Sequence, residues 1–362
     1  MSVIKIEHLR KEYDGRTVLK DICTEINTGD VISLIGPRGT GKSTFMRCLN
    51  LLETPDSGTV TVDGETAGSA SELRRKIGMV FDSPSLFENL SVIDNITAAP
   101  VKLLGYPVDR AYEEGMELLG KTGLAEKADS FPYELNGSQK QRAAIARAAA
   151  MHPGMILFDE PTLLLDHTMT DEVLSVIRNF ARDKMTMMIA TDEMKFAREV
   201  STRVFYLDEG IIYEEGTPKK IFENPSKEKT RIFIKRLKRL ELETDSHDFD
   251  HIGFIGKIEK FGRDNGISPA VIMDLELAFE ELISQNIMAF FNYNEAGKPI
   301  NVRMEYSETL GTSEMTISFA GEPYDPFTEG DVFSVNMIKK MADSVNYGYV
   351  DGRNIVRVSF SA

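Results

Sequence analysis

The chain has 362 residues, of which 42% are hydrophobic and 27% charged. This composition excludes a disordered, fibrous or disulfide-scaffold protein. The formal net charge is −15, which excludes a chain-wide field that attracts nucleic acid or anionic lipid, so any anion must be bound locally. At about 150 residues per domain, the length predicts two domains. Cys23 and Cys48 are too few for a disulfide framework, and we expect two small buried thiols in a reducing compartment.

The N-terminal residues alternate charged and apolar side chains and do not resemble a secretory signal. The longest apolar runs, such as 185–190, are far shorter than the roughly 20 residues that cross a bilayer. We therefore expect a cytoplasmic protein that would depend on a partner to span a membrane.

A β-branched run at 31–35 leads into a glycine-rich loop, which is followed by a helical pattern at 45–52. Strand, loop and helix in this order predict a phosphate-binding loop. Its glycines let backbone amides turn toward phosphate oxygens, Lys42 neutralises the terminal phosphates, and the Ser43 hydroxyl binds Mg²⁺. The expected ligands of the nucleotide are Gly36, Pro37, Arg38, Gly39, Thr40, Gly41, Lys42, Ser43 and Thr44.

A second apolar strand, 155–158, ends in Asp159 and Glu160. Placing two acids at the end of a buried strand costs free energy, so their presence there indicates a function. Beside a phosphate loop, the first acid can hold the Mg²⁺ shell and the second can orient or deprotonate the attacking water.

The segment 135–148 is a short polar turn that opens a strongly helical run. Together with the phosphate loop and the Asp159–Glu160 pair, it resembles the ATP-binding cassette family over about residues 4–240, closest to importers of polar amino acids. The resemblance implies an α/β P-loop fold with a helical subdomain, ATP and Mg²⁺ as ligands, and no nucleic-acid partner.

In that family two cassettes sandwich two ATP molecules beneath a membrane permease. The resemblance therefore implies a second cassette subunit and a permease as partners, and a peripheral location at the inner face of the cell membrane. It also assigns roles to individual residues. Tyr13 would stack on adenine, Asp166 would lie in a dimer-contacting loop, and the signature turn facing the partner's ATP would be Asn136, Gly137, Ser138 and Gln139.

Several positions depart from the family pattern, and Arg38 and the Leu163–Leu164 pair are also unusual. Asp82 replaces a glutamine that touches the Mg²⁺ shell, and Asp192 replaces a histidine that donates to the γ-phosphate. Asn136 and Ser138 replace a serine and a glycine of the signature turn. We expect Lys42, Asp82, Glu160 and Asp192 at the catalytic centre, with Ser43, Asp82 and Asp159 near the metal. Because the γ-phosphate stabilisers are altered, we expect the cassette to bind Mg-ATP and hydrolyse it slowly or not at all.

The acidic stretch 241–250 has five acids and no base, and it follows a basic amphipathic helical pattern at 231–240. We place an acidic linker at 241–251, between an ATP-binding domain at 1–240 and a second domain at 252–362.

The second domain is expected to be a smaller α+β sandwich. The pattern predicts helices at 271–291 and 335–343, strands at 300–306 and 315–319, and a hairpin of 344–350 and 353–360. These segments resemble the ATPase fold of histidine kinases and anti-sigma-factor kinases.

The chemistry of that ATPase fold is degenerate in this sequence. Its magnesium-binding asparagine falls on Gln285, with Asn286 as an alternative, and its adenine-binding aspartate falls on Phe319. The glycine-rich lid falls on 331–334. Glu280 and Glu281 are either a remnant of the catalytic base or a solvated helix face. We expect a regulatory module at 252–362 that binds a protein and no nucleotide.

The leading hypothesis is the ATP-binding subunit of a membrane complex that imports an amino acid. One alternative is a non-transporting regulator, in which the bound nucleotide controls how tightly the second domain binds a protein partner. Another is a pseudo-ATPase that completes a composite site with an intact paralogue.

Overall fold

The chain divides into two units, residues 1–230 and 231–362. The structure is a computed structural model that describes residues 2–66, 69–244, 250–290 and 299–361. Within these ranges, the strands of the first unit are β1 (Ser2–Tyr13), β2 (Arg16–Asn27), β3 (Val31–Ile35), β4 (Ser57–Val62), β5 (Glu65–Thr66), β6 (Ile77–Val80), β7 (Met155–Asp159), β8 (Met187–Ala190), β9 (Arg203–Asp208) and β10 (Ile211–Gly216). The helices are α1 (Lys42–Leu49), α2 (Ala70–Lys76), α3 (Val92–Ala99), α4 (Val108–Lys121), α5 (Gly137–Ala149), α6 (His167–Arg182), α7 (Met194–Val200), α8 (Pro218–Glu223) and α9 (Glu228–Lys235), the last of which crosses the division between the units.

The main sheet of the first unit has the strand order β10-β9-β3-β8-β7-β6 and is parallel except for β10. Every residue of β3, β7 and β8 is buried. Near-continuous apolar runs are typical of parallel strands that are covered on both faces. Because parallel strands end at one edge of the sheet, the loops that follow β3, β7 and β8 come together there, and this edge carries the candidate site.

Two further layers complete the first unit. An antiparallel sheet has the order β2-β1-β4-β5. Helices α3, α4 and α5 pack around a separate apolar cluster that includes Ile93, Leu119 and Ala143. The expected P-loop fold with a helical subdomain is confirmed.

The second unit places helices against one antiparallel sheet with the order β11-β12-β13-β15-β14. Its strands are β11 (Leu237–Thr244), β12 (Ile300–Ser307), β13 (Thr312–Ala320), β14 (Ser344–Val350) and β15 (Arg353–Ser361), and the helices within the described ranges are α10 (His251–Asp264), α11 (Pro269–Glu280), α12 (Met288–Phe290), α13 (Pro326–Glu329) and α14 (Val332–Met341). A π-helical segment at Glu281–Ile287 joins α11 to α12. Strand β13 buries every second residue, which is the period-2 pattern of a sheet with one face on a core.

The division at residue 230 differs from the expected boundary at 240, and the basic helix expected over 231–240 ends at Lys235. The chain continues as β11, which pairs with β12 from Leu237↔Ser307 to Thr244↔Ile300. Leu242 and Thr244 point into the core and Glu241 and Glu243 point outward. The first four residues of the expected acidic linker are therefore an edge strand, whose acids occupy the solvent face. Residues 245–249, and position 291 where the long helix was expected to end, lie outside the described residues.

The expectation of two buried thiols holds for Cys48 and is wrong for Cys23, which is exposed on β2. Among the described residues, every helix falls short of the length and apolar character that crossing a membrane requires.

Candidate functional site

The loop between β3 and α1 makes a turn that depends on two glycines. Gly36 has a φ of 149°, and a Cβ there would lie 2.1 Å from the carbonyl oxygen of Leu207. Gly41 caps α1 in a left-handed conformation, with a φ of 100°. A Cβ at Gly41 would meet Leu19 at 2.9 Å. A side chain at Gly36 would clash with the backbone of β9, and the left-handed φ at Gly41 disfavours a side chain there, so both positions require glycine.

Lys42 is buried beneath this loop, and its ammonium is held from inside it. Nζ donates to the carbonyl oxygens of Gly36 at 2.7 Å and Pro37 at 3.2 Å. It also lies 3.9 Å from a carboxylate oxygen of Glu160. A buried cation beneath a glycine-rich loop is well placed for an anionic ligand at that loop.

Ser43 and Asp159 form a hydroxyl–carboxylate pair between the loop and the end of β7. Ser43 Oγ donates to Asp159 Oδ1 at 2.7 Å, and Arg47 lies 3.8 Å from the other carboxylate oxygen. Burial raises the pKa of Asp159, and the Ser43 hydrogen bond and the charge of Arg47 oppose that rise. Mg²⁺ prefers oxygen ligands and commonly takes one or two from the protein with the rest from phosphates and water. The Ser43–Asp159 pair fits that donor set.

Glu160 follows Asp159 with a left-handed backbone, at a φ of 46°. Its amide donates to the carbonyl of Ala190 at 3.1 Å, which fixes the turn against β8. Burial raises the pKa of the Glu160 carboxyl, the charge of Lys42 opposes the rise, and those of Asp192 and Asp159 add to it. A carboxylate with a raised pKa is a stronger proton acceptor than an ordinary one.

Asp192 lies at the same edge, two residues beyond β8, and is paired with the phosphate loop. Its Oδ2 is 3.6 Å from Nε of Arg38, with side chains that are 44% and 77% exposed, respectively. The sequence marked both residues as unusual without indicating that they meet. The structure therefore places an arginine beside the carboxylate that we expect at the catalytic centre.

Asp82 and Tyr13 lie at the borders of this edge. The charge of Asp82 raises the pKa of Asp159, while the Asp82 side chain accepts a hydrogen bond from the amide of Ser83 at 2.8 Å. Tyr13 ends β1 and is 38% exposed. Burial raises the pKa of its phenol, and a hydrogen bond with Thr44 opposes this, which places Tyr13 next to the last residue of the loop.

The signature turn forms the start of α5. Asn136 and Gln139 make a reciprocal capping box, in which each side chain accepts a hydrogen bond from the other's amide. Ser138 is fully buried, and its hydroxyl contacts Asn136 at 3.0 Å and Glu172 at 2.5 Å. The two substituted side chains of this turn are therefore engaged within the chain. Sequence reasoning did not identify Glu172 or Arg47, although Arg47 lies one helical turn after Ser43.

Asp166 serves as the N-cap of α6, where its side chain accepts from the amide of Met169 at 2.9 Å. Leu163 and Leu164, just before it, are 45% and 69% exposed. These three residues present one exposed loop after β7.

In the second unit, most of the positions expected to have lost nucleotide chemistry are part of the core or of hydrogen bonds within the chain. Gln285 is exposed on the π-helical segment and Phe319 is buried in the core. Asn286 is buried and accepts from the amide of Asp331 at 2.7 Å. Asp331 in turn caps α14, so the segment expected as a lid is the start of a helix. Glu281 accepts a hydrogen bond from Ser334.

The parallel sheet and the residues at its edge define a P-loop nucleotide-binding protein. A family model described as ABC transporter matches residues 19–163. The chain is 45% identical over 246 residues to the L-cystine transport system ATP-binding protein TcyN of Escherichia coli, which spans 65% of this chain and 98% of that protein. It is 46% identical over 239 residues to the arginine transport ATP-binding protein ArtM of Bacillus subtilis, which spans 65% of this chain and all of that protein. The chain belongs to the family of ABC transporter ATP-binding proteins.

Solved structures agree with this assignment. The cbiO1 component of an ABC transporter complex from Clostridium perfringens matches with a TM-score of 0.57 and 30% identity, over 62% of this chain and 91% of that one. A dimeric ATP-binding cassette in a post-hydrolysis state bound to ADP and Pi matches with a TM-score of 0.53 and 28% identity, over 59% of this chain and 98% of that one.

Proposed function

We propose that this chain is the ATP-binding subunit of a membrane complex that imports an amino acid. The observation that carries the proposal is the convergence of Lys42, Ser43, Asp159 and Glu160 at one edge of the parallel sheet. Relatives named for cystine and arginine transport align over nearly their whole length. In this proposal the chain pairs with a second cassette, docks on a permease and lies at the inner face of the membrane.

ATP binding follows from the charges at the loop. The ammonium of Lys42 now lies between loop carbonyls and Glu160. In the complex it would bind the terminal phosphates of ATP instead. Ser43 and Asp159 would hold Mg²⁺, which offsets phosphate charge when it is bound. Tyr13, beside Thr44, would cover the adenine.

Hydrolysis would use Glu160 as the proton acceptor for the attacking water. Its carboxylate lies 3.9 Å from Lys42 Nζ, and burial raises its pKa, so that it accepts a proton more readily than an ordinary glutamate. These features support water activation next to the phosphate that Lys42 would bind.

We also propose that turnover is slow, and the reason is the charge of Asp192. Two like unit charges about 4 Å apart repel by about 4 kcal/mol at an effective dielectric constant of 20. Water reduces this value because Asp192 is half exposed. Arg38 offsets part of the repulsion, but the hydrogen bond that a histidine would donate to the transferring phosphate is missing.

The signature turn supports slow turnover independently. The hydroxyl of Ser138 is buried against Asn136 and Glu172, and the side chain of Asn136 is used in the cap of α5. In a sandwich dimer, neither side chain would be offered to the nucleotide of the partner subunit.

The proposal is tested by equilibrium binding of ATP to the purified full chain, with and without Mg²⁺. Saturable, Mg²⁺-dependent binding that Lys42→Ala abolishes would support it. Lys102→Ala is the control, since Lys102 is an exposed lysine of the same unit. Absence of binding would overturn the ATP-binding role. Recovery from membranes together with a permease would support transport, whereas recovery with a soluble protein alone would favour a non-transporting regulator.

For the second unit we propose a protein-binding regulatory module, with the fold of a histidine-kinase-type ATPase, that binds no nucleotide. Support comes from Phe319, which is apolar where adenine would need an acceptor, and from Asn286, whose amide oxygen is bonded to the amide of Asp331. One ATP per full chain, all of it lost in Lys42→Ala, is the expected stoichiometry. ATP retained by Lys42→Ala would contradict this proposal while leaving the role of the first unit intact.

A further inference from the structure

We infer that His8, Asp21 and Cys23 form a binding site for a divalent transition metal, Zn²⁺. The three side chains meet on the antiparallel sheet of the first unit, on strands β1 and β2. His8 Nδ1 lies 3.0 Å from Asp21 Oδ1, and Cys23 Sγ lies 3.7 Å from that nitrogen and 3.8 Å from that oxygen. Nitrogen, carboxylate oxygen and sulfur are the three donor types that zinc takes in proteins.

The spacing of these atoms matches a tetrahedral ion. Zinc bonds of about 2.0 Å to nitrogen or oxygen and about 2.3 Å to sulfur place pairs of ligand atoms about 3.3 to 3.6 Å apart. The three distances lie within about 0.4 Å of those values. A thiolate and a carboxylate together balance the charge of one divalent cation, and both must be deprotonated for binding.

A β-bulge brings the ligands together. The register of β1 on β2 passes from Ile6↔Thr24 to Leu9↔Ile22, so Glu7 and His8 stand opposite Cys23 alone. His8 adopts a left-handed φ of 52° at this point. Asp21 and Cys23 are two residues apart on β2 and share one face of the sheet. The bulge therefore turns the imidazole of His8 onto the face that carries the other two ligands.

Two contacts hold this arrangement. The amide of His8 donates to Cys23 Sγ at 3.2 Å, a bond that holds the sulfur beside the imidazole of His8. On the other side of β1, Gly58 of β4 packs so closely that a Cβ there would lie 2.4 Å from the carbonyl oxygen of His8. The geometry is thus fixed by the backbone of the sheet before any ion arrives.

The site is open to solvent. The side chains of His8 and Asp21 are 78% and 61% exposed, and Cys23 is exposed as well. An ion can enter without unfolding, and the fourth tetrahedral position would take water, as in other three-ligand zinc sites. Because the ligands come from two strands, bound metal would link β1 to β2.

The test uses the tag-free full chain with Co²⁺ as the spectroscopic probe and Zn²⁺ as the competitor. We expect thiolate-to-cobalt charge-transfer absorption at one Co²⁺ per chain, which Zn²⁺ displaces. We expect Cys23→Ser to remove the absorption. His8→Gln and Asp21→Asn should each weaken the binding of Zn²⁺ on the order of tenfold or more. Zn²⁺ also raises the Tm of the wild-type chain, since a ligand that binds only the folded state stabilises it.

His152→Gln is the matched control, because His152 pairs with a carboxylate of Glu114 at 2.8 Å in a cluster that does not include Cys23 or Cys48. Its spectrum should equal that of the wild type. Cys48 should not contribute, because burial raises the pKa of its thiol to about 12. Cobalt–thiolate absorption that survives Cys23→Ser, or Zn²⁺ affinity that is equal in the wild type and His8→Gln, would overturn the inference.

Discussion

Nε of Arg38 lies 3.6 Å from Oδ2 of Asp192, and this ion pair joins the phosphate loop after β3 to the loop after β8. Because both side chains are substantially exposed, the pair contributes at most about 1 kcal/mol to folding. Its importance lies in the site, where it places a positive charge beside the carboxylate that we propose faces the γ-phosphate.

The pair predicts a coupling between the two residues in ATP binding. Arg38→Ala should weaken the binding of a non-hydrolysable ATP analogue by about tenfold, or about 1.4 kcal/mol, because it leaves the negative charge of Asp192 uncompensated. Asp192→Asn should restore much of that loss when it is combined with Arg38→Ala. The measurement is a double-mutant cycle of equilibrium dissociation constants.

ADP is the internal control for this cycle, since it lacks the γ-phosphate and should respond less to either substitution. Additive effects of the two substitutions, or an equal response for ADP and the ATP analogue, would show that the pair does not act on the γ-phosphate.

The raised pKa of Glu160 predicts a pH-dependent effect on stability. Because burial raises the pKa above the ordinary value of 4.5, this group contributes stability below about pH 4.5 that is lost as pH rises through the folded-state pKa. Glu160→Gln should therefore raise the Tm at pH 7, with a gain that fades as pH falls toward 4.5. Thermal unfolding across this range measures it.

Glu209→Gln provides a control of opposite sign, since a hydrogen bond from Lys229 lowers the pKa of Glu209. This variant should lower the Tm slightly at neutral pH and have no effect in acid. A Glu160→Gln gain that is constant with pH would mean that the substitution acts through packing and not through the charge of the carboxylate.

The contact between Ser43 and Asp159 predicts where Mg²⁺ acts. Ser43→Ala should weaken ATP binding about tenfold in the presence of Mg²⁺ and little in its absence, because it removes one expected metal ligand. Ser71 is an exposed serine of α2, and Ser71→Ala should leave the dissociation constants with and without Mg²⁺ unchanged. A loss that is equal with and without Mg²⁺ would assign Ser43 to phosphate binding or to folding.

A buried cluster of one acid and two arginines predicts a position of the second unit where substitution strongly lowers stability. Glu305 is 7% exposed and is bound by Arg231 at 2.8 Å and by Arg239 at 2.5 Å. Glu305→Ala should cost about 3 to 5 kcal/mol, because two arginines then lose their shared counter-charge. Denaturant unfolding of the full chain provides the measurement.

Glu308→Ala is its matched control, because Glu308 pairs with Lys238 from β11 at 3.2 Å while both side chains remain exposed. It should cost less than about 1 kcal/mol. Equal losses for the two variants would show that burial of Glu305 does not determine its contribution.

The sequence predicted the local order of strand, glycine loop and helix, because Gly36, Lys42 and Ser43 have specific backbone and charge requirements. It also predicted the hairpin of β14 and β15, where Asp351 and Gly352 separate two alternating runs. It missed β11, because the acids of 241–243 suggested a linker, although Leu240, Leu242 and Thr244 alternate as an edge strand would.

Contacts between distant segments were beyond prediction from sequence. The meeting of Arg38 with Asp192 depends on the order of β3 and β8 in the sheet. The approach of His8 to Cys23 depends on the bulge in β1. The inward turn of Ser138 depends on Glu172 of α6. Each of these is set by tertiary packing, which local pattern does not encode.

The most direct test of the account compares the steady-state ATP hydrolysis rates of the purified full chain and of Asp192→His. The double variant Asp192→His with Glu160→Gln is the control for the catalytic step. The account predicts Mg-ATP binding with a low rate in the wild type, a large increase in Asp192→His, and no increase when Glu160→Gln is added to it. A high wild-type rate that Glu160→Gln abolishes, with no further gain from Asp192→His, would contradict it.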